Sequence, residues 1–108
     1  MPKYLVLYRA PVSAREQMAN ASSEQAQAGM EAWTAWSKRA RDAIVDLGSP
    51  LGDAATLGAG TSSGHVGGFS ILRADSIDAV KKVLEGHPHL HMAGGSIEVM
   101  EFLTMPGM

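Results

Sequence analysis

Histidines are the residues of this chain best suited to chemistry near neutral pH, and three of the four lie in one segment. His87, His89 and His91 alternate in the run His-Pro-His-Leu-His, whereas His65 stands alone before two glycines. Neutral imidazole binds Zn, Ni and Cu, and imidazole is also the commonest general base. The alternating run matches no established metal-site spacing, and no other His- or Cys-rich segment could complete a ligand set. We therefore predict no metal and no other cofactor, and we keep His65, His87 and His89 as candidate acid–base residues.

Aromatic residues supply a second set of candidates. Tyr4 and Tyr8 belong to an apolar N-terminal segment, Trp33 to a long helical segment and Phe69 to a later apolar segment. In the fold inferred below, the long helix covers the sheet, so these four side chains could line a cleft that binds a small ligand. Tryptophan at helical spacing is more often part of the core. Two interpretations stay open: a ligand cleft with histidines at its rim, or an ordinary core with solvated histidines.

Composition excludes several classes of function. The 108 residues have a net charge of -2, so we expect neither nucleic acid nor an anionic membrane as a partner. Without cysteine there is no disulfide framework, iron–sulfur cluster or thiol catalysis. No apolar run reaches the roughly 18 residues that a membrane span needs, and we expect a cytoplasmic protein. The glycine-rich residues 58–64 lead into a strand instead of a helix, so they do not resemble a phosphate-binding loop.

Hydrophobic periodicity, capping signals and turn residues divide the chain into alternating strands and helices. We predict strands at residues 3–9, 53–57 (weak), 66–73 and 96–104, and helices at residues 14–19, 23–47 and 76–85, the last with Asp75 as its N-cap. The long helix is predicted to bury a stripe of apolar residues, with Trp36 beside it: Ala26, Met30, Trp33, Ala40, Ile44 and Leu47.

This order of elements predicts a single α+β domain over residues 1–108. It corresponds to the β-α-β-β-α-β arrangement of a ferredoxin-like fold, with a four-stranded antiparallel sheet. Right-handed crossovers would put strands one and three at its centre and both principal helices on one face. The strands are apolar on both faces, so the face away from the helices needs a cover. We expect that cover to be a second copy of the chain.

Several segments together resemble the YCII-related domain family. They are YLVLY at residues 4–8, GMEAW at 29–33, IVDLG at 44–48, GFSIL at 68–72, EGHPHL at 85–90 and SIEVMEF at 96–102. The resemblance extends over nearly the whole chain and implies a dimeric α/β-barrel, in which two ferredoxin-like sheets pack together.

The chemistry proposed for one branch of that family does not carry over. That branch pairs a His on the first helix with an Asp before the proline that follows the second helix. The long helix of this chain contains no His, and His87 precedes Pro88 where the branch has Asp. The Asp-Gly-Pro-Phe motif of a related subset is also missing. Two functions remain: a non-catalytic or regulatory dimer that binds a small organic ligand, or a cofactor-free, lyase- or isomerase-like enzyme using His as acid and base.

Overall fold

Four strands form one antiparallel sheet, in the order Ile44–Pro50, His65–Arg73, Lys3–Ala10 and Ser96–Glu101. The computed structural model describes residues 1–60 and 64–106. The strands are β1 Lys3–Ala10, β2 Ile44–Pro50, β3 His65–Arg73 and β4 Ser96–Glu101; the helices are α1 Ala14–Asn20, α2 Ser23–Arg39 and α3 Ile77–Leu84. Strands β1 and β3 are central, which confirms the predicted ferredoxin-like α+β fold. No helix within the described ranges is long and apolar enough to cross a membrane.

The core lies between one face of the sheet and the helices. Alternation along β1 turns Tyr4, Val6 and Tyr8 inward, and Ser70 and Leu72 of β3 lie beside them. From the helices come Trp36 and Ala40 at the end of α2 and Val80 and Leu84 of α3. The predicted placement of both principal helices on one face is therefore confirmed.

The long helix is shorter than predicted. A capping box begins α2 as expected: Ser22 accepts from the Gln25 amide, and the Gln25 side chain accepts from the Ser22 amide. The helix ends at Arg39, however, and after a 3-10 turn at Arg41–Ala43 the chain becomes β2. The prediction of a helix to residue 47 was wrong because β-branched Ile44 and Val45 favour a strand, and pairing of Ile44 with Leu72 extends the sheet.

Glycine at position 48 is required by the packing of β2 on β3. Gly48 has a φ of +88°, a conformation that L side chains rarely adopt. A Cβ there would also collide with the carbonyl of Phe69. Gly48, which follows the end of the predicted helix, is thus a bend within an edge strand.

The buried stripe of α2 also differs from the prediction. Trp36 is 1% exposed and its indole Nε1 donates to the Val83 carbonyl at 3.0 Å, so it is the central core residue of the helix. Met30 is 68% exposed and Ala26 is also exposed, because the first half of α2 does not pack closely on the sheet. Leu47 belongs to β2. The predicted stripe failed where it assumed that one helix face is buried over its whole length.

Three smaller predictions were also corrected. Residues 53–57 form no strand, since β2 supplies the fourth strand of the sheet. Ser76, not Asp75, caps α3 by accepting from the Ala79 amide, and the helix ends at Leu84. The last strand ends at Glu101 and not at residue 104. The predicted glycine-rich turn at residues 58–64 includes residues 61–63, which lie outside the described residues.

The sheet face opposite the helices is apolar at its centre, while Arg9 and Glu98, at the same strand parity, form an ion pair of 3.3 Å beside it. This face carries Leu5 and Leu7 of β1 and Ile71 of β3, which are all half-buried. Phe69 lies two residues before Ile71 and so faces the same side of β3, and Met100 of β4 pairs with Leu5. We call these five residues the outer face.

Candidate functional site

A cleft of about 550 Å³ opens between α1, the first half of α2 and the sheet. It is the space left where the beginning of α2 stands away from the strands. Its principal lining residues are Tyr8, Trp33, Met30, Pro50, Gly68 and His89. Among the described residues of this lining there is no Asp, Glu, Lys or Arg. The cleft is therefore suited to an uncharged, largely apolar molecule.

The aromatic part of the cleft is built from β1 and α2. The rings of Tyr8 and Trp33 meet edge to face, with centroids 4.9 Å apart and an interplanar angle of 81°. This is a favourable geometry for two aromatic rings, because the positive edge of one meets the negative face of the other. The pair forms a rigid apolar surface on which a planar molecule could pack.

The Tyr8 hydroxyl is occupied within the protein. It donates to Ser70 Oγ at 2.8 Å, and Ser70 Oγ donates in turn to the Leu47 carbonyl at 2.6 Å. Burial raises the pKa of Tyr8 to about 12, although the Ser70 hydrogen bond acts in the opposite direction. At neutral pH the residue is a neutral phenol whose proton is already engaged, so its contribution to the cleft is its ring.

His87 lies behind the cleft wall, enclosed by aromatic rings. It is 0% exposed, stacks on Tyr8 with centroids 4.9 Å apart, and meets the rings of Trp33 and Trp36 edge to face, each at 4.5 Å. Burial lowers its pKa to about 4, with smaller contributions from His89 and Arg39. The imidazole is therefore neutral at neutral pH.

The tautomer of His87 follows from one contact. Its Nδ1 accepts a hydrogen bond from the His89 backbone amide at 3.0 Å, so Nδ1 carries no proton. The proton of the neutral ring is then on Nε2. Among the described residues Nε2 has no hydrogen-bond partner, and the imidazole ring as a whole packs against Tyr8, Trp33 and Trp36. His87 caps the turn at Pro88–His91 and supports the cleft wall, without lining the cleft.

His89 brings an imidazole into the cleft itself. It is 8% exposed, and its Nε2 lies 2.7 Å from the carbonyl oxygen of Arg9. A carbonyl accepts only, so Nε2 carries the proton and donates it. Nδ1 of the neutral ring is then an acceptor. The Arg9 carbonyl thus fixes both the orientation and the tautomer of this imidazole.

The predicted site residues divide into two groups. Tyr8, Trp33 and His89 line the cleft, and Phe69 borders it on β3, although strand alternation places the Phe69 side chain on the outer face. Tyr4 is a core residue, His65 is exposed at the start of β3, and His87 is sealed behind the wall; none of these three is in the lining.

The alternating histidines do not converge, because the 3-10 turn sends His87 inward, His89 to the cleft and His91 to solvent. An extended segment would have aligned alternate side chains on one face, whereas a turn distributes them. No group of three or more His, Cys, Asp or Glu residues in the described parts of the chain could hold a metal ion.

Several lining residues were missed by the sequence analysis. Met18 of α1, Gly29 of α2 and the β2 residues Leu47 to Pro50 all contribute to the cleft. These β2 residues were missed because the helix was predicted to continue to residue 47, which left residues 48–50 just beyond its end. The alternation of apolar Val45 and Leu47 around Asp46 was the available signal for a strand.

Comparison with known proteins supports the fold. No protein-family model and no curated protein matches the chain. A solved structure with a similar fold is that of 5-chloro-2-hydroxyhydroquinone dehydrochlorinase from Burkholderia phenoliruptrix AC1100, in complex with 2,5-dihydroxybenzoquinone. It is 23% identical in sequence, with a TM-score of 0.54, and the match covers 95% of this chain and 94% of the other. The chain thus shares a ferredoxin-like α+β fold with this enzyme.

Proposed function

We propose that this protein binds a small planar organic molecule in the cleft between α2 and the sheet, as a binding or regulatory module. The observation that carries the proposal is the cleft itself: about 550 Å³, within the usual size range of ligand pockets, with Tyr8 and Trp33 in its wall. Such a molecule would pack against the two rings and remove apolar surface from water on both sides.

The fold neighbour gives secondary support. The molecule in that structure, 2,5-dihydroxybenzoquinone, is a single planar ring. One or two fused rings are also what the cleft of this chain can hold. The likeness in fold makes a ring compound a reasonable class of ligand for this chain.

Calorimetric titration with indole, a neutral two-ring molecule, tests the proposal when combined with a variant that fills the cleft. Gly29 lines the cleft, and a Cβ there would meet no atom within 4 Å, so the side chain of Gly29→Phe can enter the cleft. Ala32→Phe, at an exposed α2 position outside the lining, is the matched control. We expect the wild type and Ala32→Phe to bind indole equally and Gly29→Phe to bind at least tenfold more weakly. Equal binding by all three proteins would refute the cleft as the site.

A second candidate, a cofactor-free lyase- or isomerase-like enzyme, is favoured by His89. Its Nε2–H is anchored on the Arg9 carbonyl, which leaves Nδ1 as a possible base at the cleft. Against it, Tyr8 is the one other titratable side chain among the described lining residues, and its raised pKa makes it a poor acid–base partner. His65 and His87 would have to act from outside the lining. We therefore place binding first.

Exchange of resorcinol ring protons in D2O, followed by NMR, separates the two candidates. A catalytic His89 would accelerate the exchange, and His89→Gln would abolish the acceleration. If the protein only binds its ligand, exchange with the wild type and with His89→Gln proceeds at the same rate as in buffer alone. This is the result that we expect.

We further propose that the protein is a homodimer joined through the outer face. Leu5, Leu7, Phe69, Ile71 and Met100 would leave a contiguous apolar surface in water if each domain were alone. Light scattering should give a particle of about twice 11.4 kDa. Ile71→Glu, which adds a charge to that face, should give the single-chain mass, whereas Leu57→Glu in an exposed loop should not. A single-chain mass for the wild type would refute the dimer.

Membership of the YCII-related family and a cytoplasmic location are part of the same proposal. The segments at residues 29–33, 68–72 and 85–90 support the first, together with the ferredoxin-like fold. The second stays a prediction from the sequence.

A further inference from the structure

Resting on the proposed ligand cleft, we propose that the ligand is an uncharged phenol-like molecule whose hydroxyl donates a hydrogen bond to Nδ1 of His89. Among the described lining residues there is neither a cation to pair with a carboxylate or phosphate nor an anion to pair with an amine. Moving an ionised group from water into such a site is strongly unfavourable when no partner compensates for the lost hydration. The cleft thus selects neutral molecules.

His89 has one ring nitrogen that is not hydrogen-bonded to the Arg9 carbonyl. Because Nε2 donates to the Arg9 carbonyl, Nδ1 holds a lone pair. Nδ1 makes no hydrogen bond to the described protein. It is nevertheless not one of the fully buried polar atoms that lack a partner. The residue itself lines the cleft. Nδ1 therefore retains accessible surface, and we infer that a molecule in the cleft that His89 lines can reach it. A ligand that fits it presents an O–H or N–H donor in the plane of the imidazole.

The other polar side chains in the lining already make hydrogen bonds within the protein. The Tyr8 hydroxyl donates to Ser70, and the Ser49 hydroxyl donates to the Pro50 carbonyl. The Gln17 amide donates to the Val12 carbonyl, and Gln25 accepts from Ser22. Gln17 retains an acceptor oxygen on α1, but its amide can rotate, whereas His89 is fixed by its backbone contact. His89 is thus the pre-organised acceptor of the cleft, and a planar ring on Trp33 with a hydroxyl is the molecule that satisfies both features.

Three molecules of one shape test the inference: 4-methylphenol, 4-methylanisole and 4-methylbenzoate, titrated by NMR at pH 7.5. We expect 4-methylphenol to bind about five- to tenfold more tightly than 4-methylanisole, the effect of one hydrogen bond. The benzoate should bind most weakly. In His89→Gln the amide nitrogen can replace Nε2 at the Arg9 carbonyl while the Nδ1 acceptor is lost, so the preference for the phenol should fall to about unity. His91→Gln, an exposed position in the same turn, should retain it.

A second measurement does not depend on the folding of a variant. The 15N signal of the unprotonated His89 Nδ1 in the wild type should move on addition of 4-methylphenol and stay in place with 4-methylanisole. Equal affinity for the phenol and the ether, or a preference that survives in His89→Gln, overturns the inference and leaves the proposed cleft intact. Failure of indole and of all three probes to bind overturns the proposed function as well.

Discussion

Acidification should destabilise this protein through His87. The ring is fully enclosed by Tyr8, Trp33 and Trp36, and burial lowers its pKa from 6.5 to about 4. Electrostatic interactions with His89 in the same turn and with Arg39 of α2 add to this lowering of the pKa. The unfolded chain therefore binds a proton more readily than the folded chain over this range. The stabilisation that comes from keeping His87 neutral is therefore fully present above about pH 6.5. The free energy of unfolding falls as the pH drops from there toward 4.

The size of this effect follows from the pKa difference. The change from 6.5 to about 4 corresponds to about 3 kcal/mol, of which about 2 kcal/mol is lost by pH 5. For a small domain this is a large part of the total stability. Urea denaturation at a series of pH values from 7.5 to 4.5 measures it directly.

His87→Phe tests the assignment. Phenylalanine keeps a ring between Tyr8 and the tryptophans and cannot titrate. Because it removes the acceptor of the His89 amide, the variant should be about 1 kcal/mol less stable than the wild type at pH 7.5. Its stability should nevertheless fall by about 2 kcal/mol less than that of the wild type between pH 7.5 and 5. His91→Gln, at an exposed position, should retain the wild-type slope. Identical slopes for wild type and His87→Phe would refute the reasoning.

Four further results are expected, each measured by thermal or urea denaturation. Gly29→Ala should stabilise the protein by about 0.5–1 kcal/mol, because Gly29 lies inside α2 and a Cβ there meets no other atom. Gly48→Ala should destabilise the protein by more than about 1 kcal/mol. The opposite order of stabilities would contradict the backbone geometry. Ser70→Ala should lower the free energy of unfolding by about 1–3 kcal/mol, because it leaves the Tyr8 hydroxyl unpaired. The loss should be smaller when Tyr8→Phe is also present. Additive losses would mean that the two hydroxyls are not coupled. Ser22→Ala should cost about 1 kcal/mol through loss of the α2 capping box, and no cost would mean that the box does not stabilise the helix. Chelator should leave the melting temperature unchanged, and a large drop would indicate a structural metal.

The central strands and the capped helix starts could be predicted from local signals. The alternation at Tyr4, Val6 and Tyr8 and the capping box at Ser22 act within a few residues, so the sequence contains their cause. The end of α2 could not be predicted in this way. Ile44 leaves the helix because β3 offers it a partner at Leu72, and that contact exists only in the folded sheet.

The candidate site was predictable in its residue types but not in its arrangement. Tyr8, Trp33 and His89 were expected at a cleft and line it. The exclusion of His87 from the lining depends on the 3-10 turn at Pro88–His91, which puts His87 among the aromatic rings. The tautomer of His89 depends on the Arg9 carbonyl, 80 residues away in the sequence. Long-range contacts of this kind are invisible to periodicity and spacing.

NMR of the 15N-labelled protein during titration with indole tests the ligand cleft most directly, since the two tryptophans serve as an internal comparison. Trp33 lines the cleft, whereas Trp36 is buried in the core with its Nε1–H donated to Val83. The account predicts saturable shifts of the Trp33 indole signal and the Gly29 and Gly68 amides, with the Trp36 indole signal unchanged. Shifts confined to outer-face residues such as Leu7 and Ile71, or no saturable shift at all, would contradict it.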